Sequence, residues 1–455
     1  MLNNKFKNYQ STRVYMWTLL LLTTLSFTTL AKDIPSRKPS KEGISQQRLD
    51  KLTAHMNQAV EGGTMVGGLG MIARNGKVVY SETFGQSDRE ANKPMKEDTL
   101  FRIYSMSKPI TSVALMMLYE EGKFFLNDPI SMYIPELANL ELAISSADGE
   151  TSMVSDGTNS KTLGEGDVSK VGQTRQPKRQ PTVRDLMIHT AGFSYGLGNN
   201  EVDQQYDKNL SMEDDLQTFV TKLGKIPLLY EPGTKWHYSV AVDVQGRLVE
   251  VLSGMRFGEF LEKRIFQPLD MQDTSFVVPK NKLDRLAQIY SPKGTPKGMD
   301  AFRTKATSSQ LVVSTNREFT HDPYLEGATF ESGGHGMVSS AMDYLKFSQM
   351  MLNGGELNGV RILSPKTVEL MTLNHLDTML EPGIGFGLGF GVTLDVGGTG
   401  EIGSVGEFEW SGAAGTKFWI DPVEKLIGIF MVQSINHRTR LSKEFRILTY
   451  QSIVD

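Results

Sequence analysis

Apolar residues in the stretch ISQQRLDKLTAHMNQAV, residues 44–60, recur every third or fourth position, the spacing that gives a helix one buried stripe. The pattern then changes. MVGGLGMIARNGKVVYSETFG, residues 65–85, holds two β-rich runs joined by Asn75-Gly76, the pair best suited to a two-residue hairpin turn. A further helix is predicted over 105–119, closed by Gly122, and helical spacing dominates the middle of the chain at 182–189, 211–223, 240–254, 257–266 and 341–355. Strand patterns return at 386–395, 415–421 and 425–434, with Asp421-Pro422 marking a turn between the last two.

An opening hairpin, a helical middle and closing strands predict an α/β (α+β) chain. One antiparallel sheet is built from both chain ends and flanked by helices, with a mainly helical lobe inserted. The α/β lobe takes residues 45–100 and 380–455, and the helical lobe 101–379. Within the latter, residues 145–180 are rich in Ser, Gly, Thr and Asp, hold no aromatic residue and show no usable period. They predict a long flexible surface insertion, an inert loop rather than a lid.

Length and composition narrow the classes. At 455 residues the chain exceeds what one core sustains, which agrees with two lobes. A net charge of −4 provides no basic field for a phosphate backbone, so nucleic acid is not an expected partner. Lys5, Lys7 and Arg13 precede the apolar stretch 14–31, which ends in small residues and is followed by polar sequence. That layout predicts a secretory signal over 1–31, cut near Ala31, with 32–455 as the mature chain; an uncleaved anchor is the other reading. The chain holds no Cys, which excludes disulfides, thiolate metal sites and lipid attachment through Cys. An exported chain without Cys fits a bacterial periplasm or a secreted protein, with no membrane association once the signal is removed.

One stretch carries a candidate reaction centre. In FRIYSMSKPITSVALMML, Ser105 stands three positions ahead of Lys108, on one face of the predicted helix and near its start. Free N–H groups and the positive dipole end gather there, which favours an oxyanion and lowers the pKa of a neighbouring lysine. A lysine acts as a base only when burial or nearby positive charge brings its pKa toward neutrality. Taken alone, the pair also suits an ordinary helix start.

Other motifs compete less well. GFSYG, with Ser194 at its centre, matches a nucleophile elbow, but it lacks the strand before and the helix after that this motif requires, so Ser194 is expected in a tight surface turn. His189 sits at a predicted helix end, where a carbonyl-capping role is expected. His237 and His335 lie in predicted loops as hydrogen-bonding residues. No His-Glu-x-x-His or helical His pair occurs, so no metal is expected.

YSMSK, PTVRDLMIHTAGF, EPGTKWHYSVAVDVQGRLVEVLSG, IFQPLDMQDTSF, GGHGMVSSAMDYLKF and EWSGAAG, in this order, resemble the serine β-lactamase and penicillin-recognising family. The likeness is nearest to class C β-lactamases and the β-lactamase-like carboxylesterases, and covers residues 68–433. It implies a β-lactamase/transpeptidase-like fold, with Ser105 as the acylated nucleophile, Lys108 hydrogen-bonded to it, and Tyr238 as the tyrosine of Tyr-x-Asn. It also places Trp410-Ser411-Gly412 where the family has Lys-Thr-Gly, lining the cleft on an edge strand, and implies an oxyanion hole from the N–H groups of Ser105 and Ala413. Two departures bear on the substrate, because Val240 replaces the Asn and Trp410 the Lys. Neither can hold a carboxylate or an amide as those residues do. Together with the N-terminal pattern, the resemblance therefore implies an exported serine hydrolase of carboxylic esters with short-to-medium acyl chains, using Lys108 and Tyr238 for proton transfer and no cofactor. A β-lactamase or D-amino-acid peptidase or amidase is one alternative. A penicillin- or cell-wall-fragment-binding protein without turnover is another.

Overall fold

Asn75 and Gly76 both adopt left-handed backbone, φ 53° and 71°, and close the predicted hairpin between strands β1 (Gly67–Arg74) and β2 (Lys77–Asp88). The computed structural model describes residues 33–144, 155–156, 159–160, 173–198, 200–304, 308–435 and 439–455. The predicted signal lies outside the described residues, as does most of the 145–180 segment. Strand β3 (Lys93–Pro94) follows β2, and the remaining sheet strands come from the far end of the chain: β4 (Ile384–Phe386), β5 (Gly391–Thr393), β6 (Phe408–Ser411), β7 (Lys417–Asp421) and β8 (Leu426–Val432). They form one eight-stranded sheet in the order β4-β5-β6-β7-β8-β1-β2-β3. Each pairing is antiparallel, and the chain ends meet where β1 pairs with β8, Met71 opposite Ile429. One antiparallel sheet built from both chain ends and flanked by helices is the arrangement that the sequence predicts.

Alternation along these strands sorts residues onto two buried faces. Leu69, Met71, Phe418, Ile420, Ile427 and Ile429 enter the larger core, with helices α2 (Ser107–Glu120) and α4 (Ala341–Leu352) and, farther from the sheet, α3 (Ala241–Ser253). Ile72, Phe84, Trp419 and Phe430 face a smaller core closed by α1 (Gln46–Glu61) and α5 (Leu441–Tyr450). A sheet buried on both faces has no room for side chains everywhere. A Cβ on Gly70 would stand 2.4 Å from the Phe445 ring, and one on Gly428 would stand 2.1 Å from the Trp419 ring.

Two predicted elements differ in detail. The 386–395 run folds back as parts of β4 and β5, because the Gly387 N–H bonds to the Phe390 carbonyl at 2.8 Å and Gly389 takes φ 96°. A Cβ on Gly389 would meet Ser112 Oγ at 2.4 Å, so the reversal presses against α2. The helix predicted over 105–119 begins as a separate 3-10 turn, Tyr104–Met106, before α2 proper. The 145–180 segment leaves and returns through one small ladder, Leu142–Ala143 against Thr174–Arg175. Gly70→Val should lower the urea midpoint through a clash with Phe445, costing roughly 1–3 kcal/mol of stability or more.

Candidate active site

Ser105 owes its position to a strained neighbour. Tyr104 has φ 45°, unfavourable for a bulky side chain, and is held there by burial, by its hydroxyl donating to the Phe319 carbonyl at 3.2 Å, and by edge contact with Tyr324 at 6.3 Å. The turn is locked from behind, where Tyr344 OH donates to the Met106 carbonyl at 2.9 Å and Ser107 Oγ accepts from the Met337 N–H at 3.2 Å. Phe101–Arg102 pairs with Val338–Ser339, which brings the Gly333–Gly336 loop to the first turn of α2.

Lys108 lies in that first turn and is almost fully buried. Its Nζ stands 3.2 Å from Ser105 Oγ, 2.9 Å from Tyr195 OH and 2.6 Å from the Gly334 carbonyl. The rings of Tyr238 and Tyr195 face it at 4.5 and 5.1 Å. Burial lowers its pKa to about 7, opposed by the charge of Asp243. As a free amine it has two N–H donors and one lone pair, and the Gly334 carbonyl can only accept. With three partners, one hydroxyl is left to donate to the lone pair, and Ser105 is within reach.

Tyr238 immediately precedes the entry to α3. Trp410 Nε1–H donates to its hydroxyl at 3.3 Å. Burial holds the phenol well above its ordinary pKa, although hydrogen bonding with Ser105 and Trp410 works the other way. The wall around it is aromatic: Trp236 stacks on Tyr238 at 6.0 Å, and Trp410 lies 5.7 Å from Tyr238 and 5.3 Å from Phe386.

The Trp410 triplet is not on an outer strand, since β6 lies inside the sheet order. Strand β5 pairs only with Phe408 and Glu409, however, so Trp410 and Ser411 run past its end and are unpaired on that side. A Cβ on Gly412 would lie 2.4 Å from the Ile103 carbonyl, which shows how closely the strand end approaches the segment bearing Ser105. The following turn closes with the Gly415 N–H on the Gly412 carbonyl at 2.9 Å, leaving Ala413 exposed. Lys417, the register partner of Ser411, is tied to Glu409 at 2.5 Å. Val240 is buried at the N-cap of α3, its N–H on the Ser194 carbonyl at 3.2 Å.

Ser194 does not lie in a surface turn. It is buried because the helix Glu201–Asn209 covers it: its hydroxyl donates to Asp203, and its N–H donates to Tyr206 OH at 2.9 Å. His237 Nε2 stands 3.4 Å from the same hydroxyl, but Ser194 bonds Asp203 directly, so the order of a serine-histidine-aspartate triad is missing. Its loop contributes the next residue, Tyr195, which the sequence reading passed over; only the three-dimensional approach to Lys108 reveals it. His189 likewise caps no carbonyl with its ring. Its Nδ1 accepts the Ser239 N–H at 3.3 Å, and burial pushes its pKa well below the ordinary range. Burial lowers His237 and His335 to about 4. Among the described residues no group of three or more His, Asp or Glu side chains could hold a metal ion.

Residues 52–448 match the Beta-lactamase family model, and the chain belongs to that family. Protein Rv1367c of Mycobacterium tuberculosis is 29% identical over 85% of this chain and 90% of its own length. Esterase EstB of Burkholderia gladioli is 28% identical, covering 82% of this chain and 86% of its own. Among solved structures, EstCE1, described as a hydrolase with promiscuous acyltransferase activity, superposes with a TM-score of 0.72 at 25% identity, over 90% of this chain and 99% of its own. The chain is a serine hydrolase of this family.

Burying Lys108 has a pH-dependent cost. Its folded pKa of about 7 lies below that of an unfolded lysine, about 10.4, so between these values the unfolded chain holds the extra proton. The penalty is full below pH 7 and fades as pH rises toward 10. The stability of Lys108→Met relative to the native chain should therefore fall as pH rises from about 7 to about 10, as read by urea unfolding at several pH values.

Proposed function

We propose that this chain is an exported carboxylesterase that cleaves neutral esters of short-to-medium acyl chains through an acyl-enzyme on Ser105. The observation that carries this reading is Trp410: its indole N–H is engaged by Tyr238 within an aromatic wall, where the resembling β-lactamases and peptidases have a lysine for the substrate carboxylate. An apolar wall with a phenol at its inner end suits an uncharged acyl or alkoxy group. The similarity to an enzyme named as an esterase points the same way. Export rests on the basic-then-apolar pattern of residues 1–31 and the absence of Cys, and suits a periplasmic or secreted enzyme.

The geometry supports the following sequence. Unprotonated Lys108 accepts the Ser105 proton as Oγ bonds to the ester carbonyl carbon. The N–H groups of Ser105 and Ala413 receive the developing oxyanion. Tyr238, a neutral phenol between Ser105 and the cleft wall, passes a proton to the departing alkoxide and recovers one from Lys108. Water repeats the steps on the acyl-enzyme and frees Ser105.

Intact-mass analysis after treatment with a fluorophosphonate and, separately, a penicillin, alongside p-nitrophenyl butyrate turnover, tests the reading. Butyrate turnover and a phosphonyl adduct are expected, both lost in Ser105→Ala with a rate drop of roughly 10³-fold or more. Hydrolysed penicillin would instead mark a β-lactamase, and a lasting penicilloyl adduct a peptidase or a binding protein. Ester kcat/KM should rise as pH increases through about 7, because Lys108 must lose its proton to act.

A further inference from the structure

Asp243, in the first turn of α3, is completely buried and has no ion-pair partner among the described residues. Its Oδ1 accepts the Ser332 hydroxyl at 2.5 Å and the Gly334 N–H at 3.1 Å, while Oδ2 has no hydrogen-bond partner among the described residues. Gly334 is thus gripped at both ends, its N–H by Asp243 and its carbonyl by Lys108 Nζ at 2.6 Å. The neighbouring Gly333 carbonyl accepts the Thr111 hydroxyl at 2.9 Å, which ties the loop to α2. A Cβ on Gly334 would lie 2.7 Å from Tyr195 OH and 3.1 Å from Asp243 Oδ2, so the free carboxylate oxygen and the phenol approach the same α-carbon. A buried carboxylate with one bare oxygen is costly, and its charge acts fully on whatever stands nearby.

Lys108 is what stands nearby. The other titratable groups acting around it are neutral: burial holds the Tyr195 and Tyr238 phenols above their ordinary pKa, and burial keeps the His189 and His335 rings unprotonated. Asp243 is the carboxylate that favours a charged Lys108. When the Ser105 proton moves to Nζ, an ammonium forms among aromatic rings, and a fixed anion stabilises it as the triad aspartate stabilises an imidazolium.

We propose that Asp243 is a positioning residue for the reaction, fixing the Gly333–Gly334 loop on Lys108 and stabilising the ammonium that Lys108 becomes on accepting the Ser105 proton. The proton leaves Oγ as the Oγ–carbonyl bond forms and ends on the leaving alkoxide as the ester C–O bond breaks. This inference rests on the Ser105–Lys108 chemistry proposed above.

The test is the rate at which a fluorophosphonate labels Ser105 as a function of pH, in the full chain and in Asp243→Asn, with butyrate turnover measured in parallel. The variant should label about 10²-fold more slowly on its high-pH plateau. Its pH midpoint should fall by about one unit or more, because an amine without its anion loses the proton more readily. A slower rate with an unmoved midpoint would assign Asp243 a structural role alone and overturn the proposal, as would an unchanged rate or a rising midpoint. If Asp243→Asn does not fold, Asp243→Ser carries the same measurement. Wild-type protein that labels at Ser105 but hydrolyses no butyrate would sink the ester reading while leaving the Asp243 test intact.

Discussion

Denying an amine water is one way to free it of its proton near neutral pH, and the burial of Lys108 is the condition around which the site is organised. Helix α2 carries the lysine inward, the Gly333–Gly336 loop covers it, and the Tyr195 and Tyr238 rings close the sides. None of these groups lies close to the others in sequence. The packing of these elements therefore does more than hold the chain together, because it keeps solvent from one nitrogen.

The sheet fixes where this burial meets the cleft. Pairing of β1 with β8 joins the chain ends, and β7 then sets β6 in register, so that Trp410 and Gly412 arrive beside the segment that bears Ser105. The nucleophile itself is held by a left-handed Tyr104, a strain tolerated because Tyr324 and the Phe319 carbonyl fix its ring and hydroxyl.

Much of this was legible in the sequence, and for identifiable reasons. Alternating apolar residues, Asn75-Gly76 and the β-rich ends predicted the sheet, since strand period and turn chemistry are local properties. Ser105 and Lys108 could be picked out because one helical turn joins them. Tyr195 and Asp243 could not, because Tyr195 meets Lys108 only through tertiary contact and Asp243 acts on it only through its charge and the shared Gly334; GFSYG even drew attention to Ser194, whose hydroxyl is engaged by Asp203. The reversal at Gly387–Gly389 was missed for a related reason: its glycines read as part of a strand until α2 is packed against them.

The ladder between Leu142–Ala143 and Thr174–Arg175 has a consequence for how such a chain can change over time. The two ladder strands are already hydrogen-bonded neighbours, so lengthening a flexible connection between them costs only closure entropy, which grows as the logarithm of length, about 0.6 kcal/mol for each doubling. Arg175, within the ladder, pairs with Glu231 at 2.6 Å, on the segment leading to Trp236 and Tyr238. A change of length between these anchors therefore leaves the frame that holds Ser105 in place, which makes this a position where a chain of this fold can be lengthened or shortened at low cost.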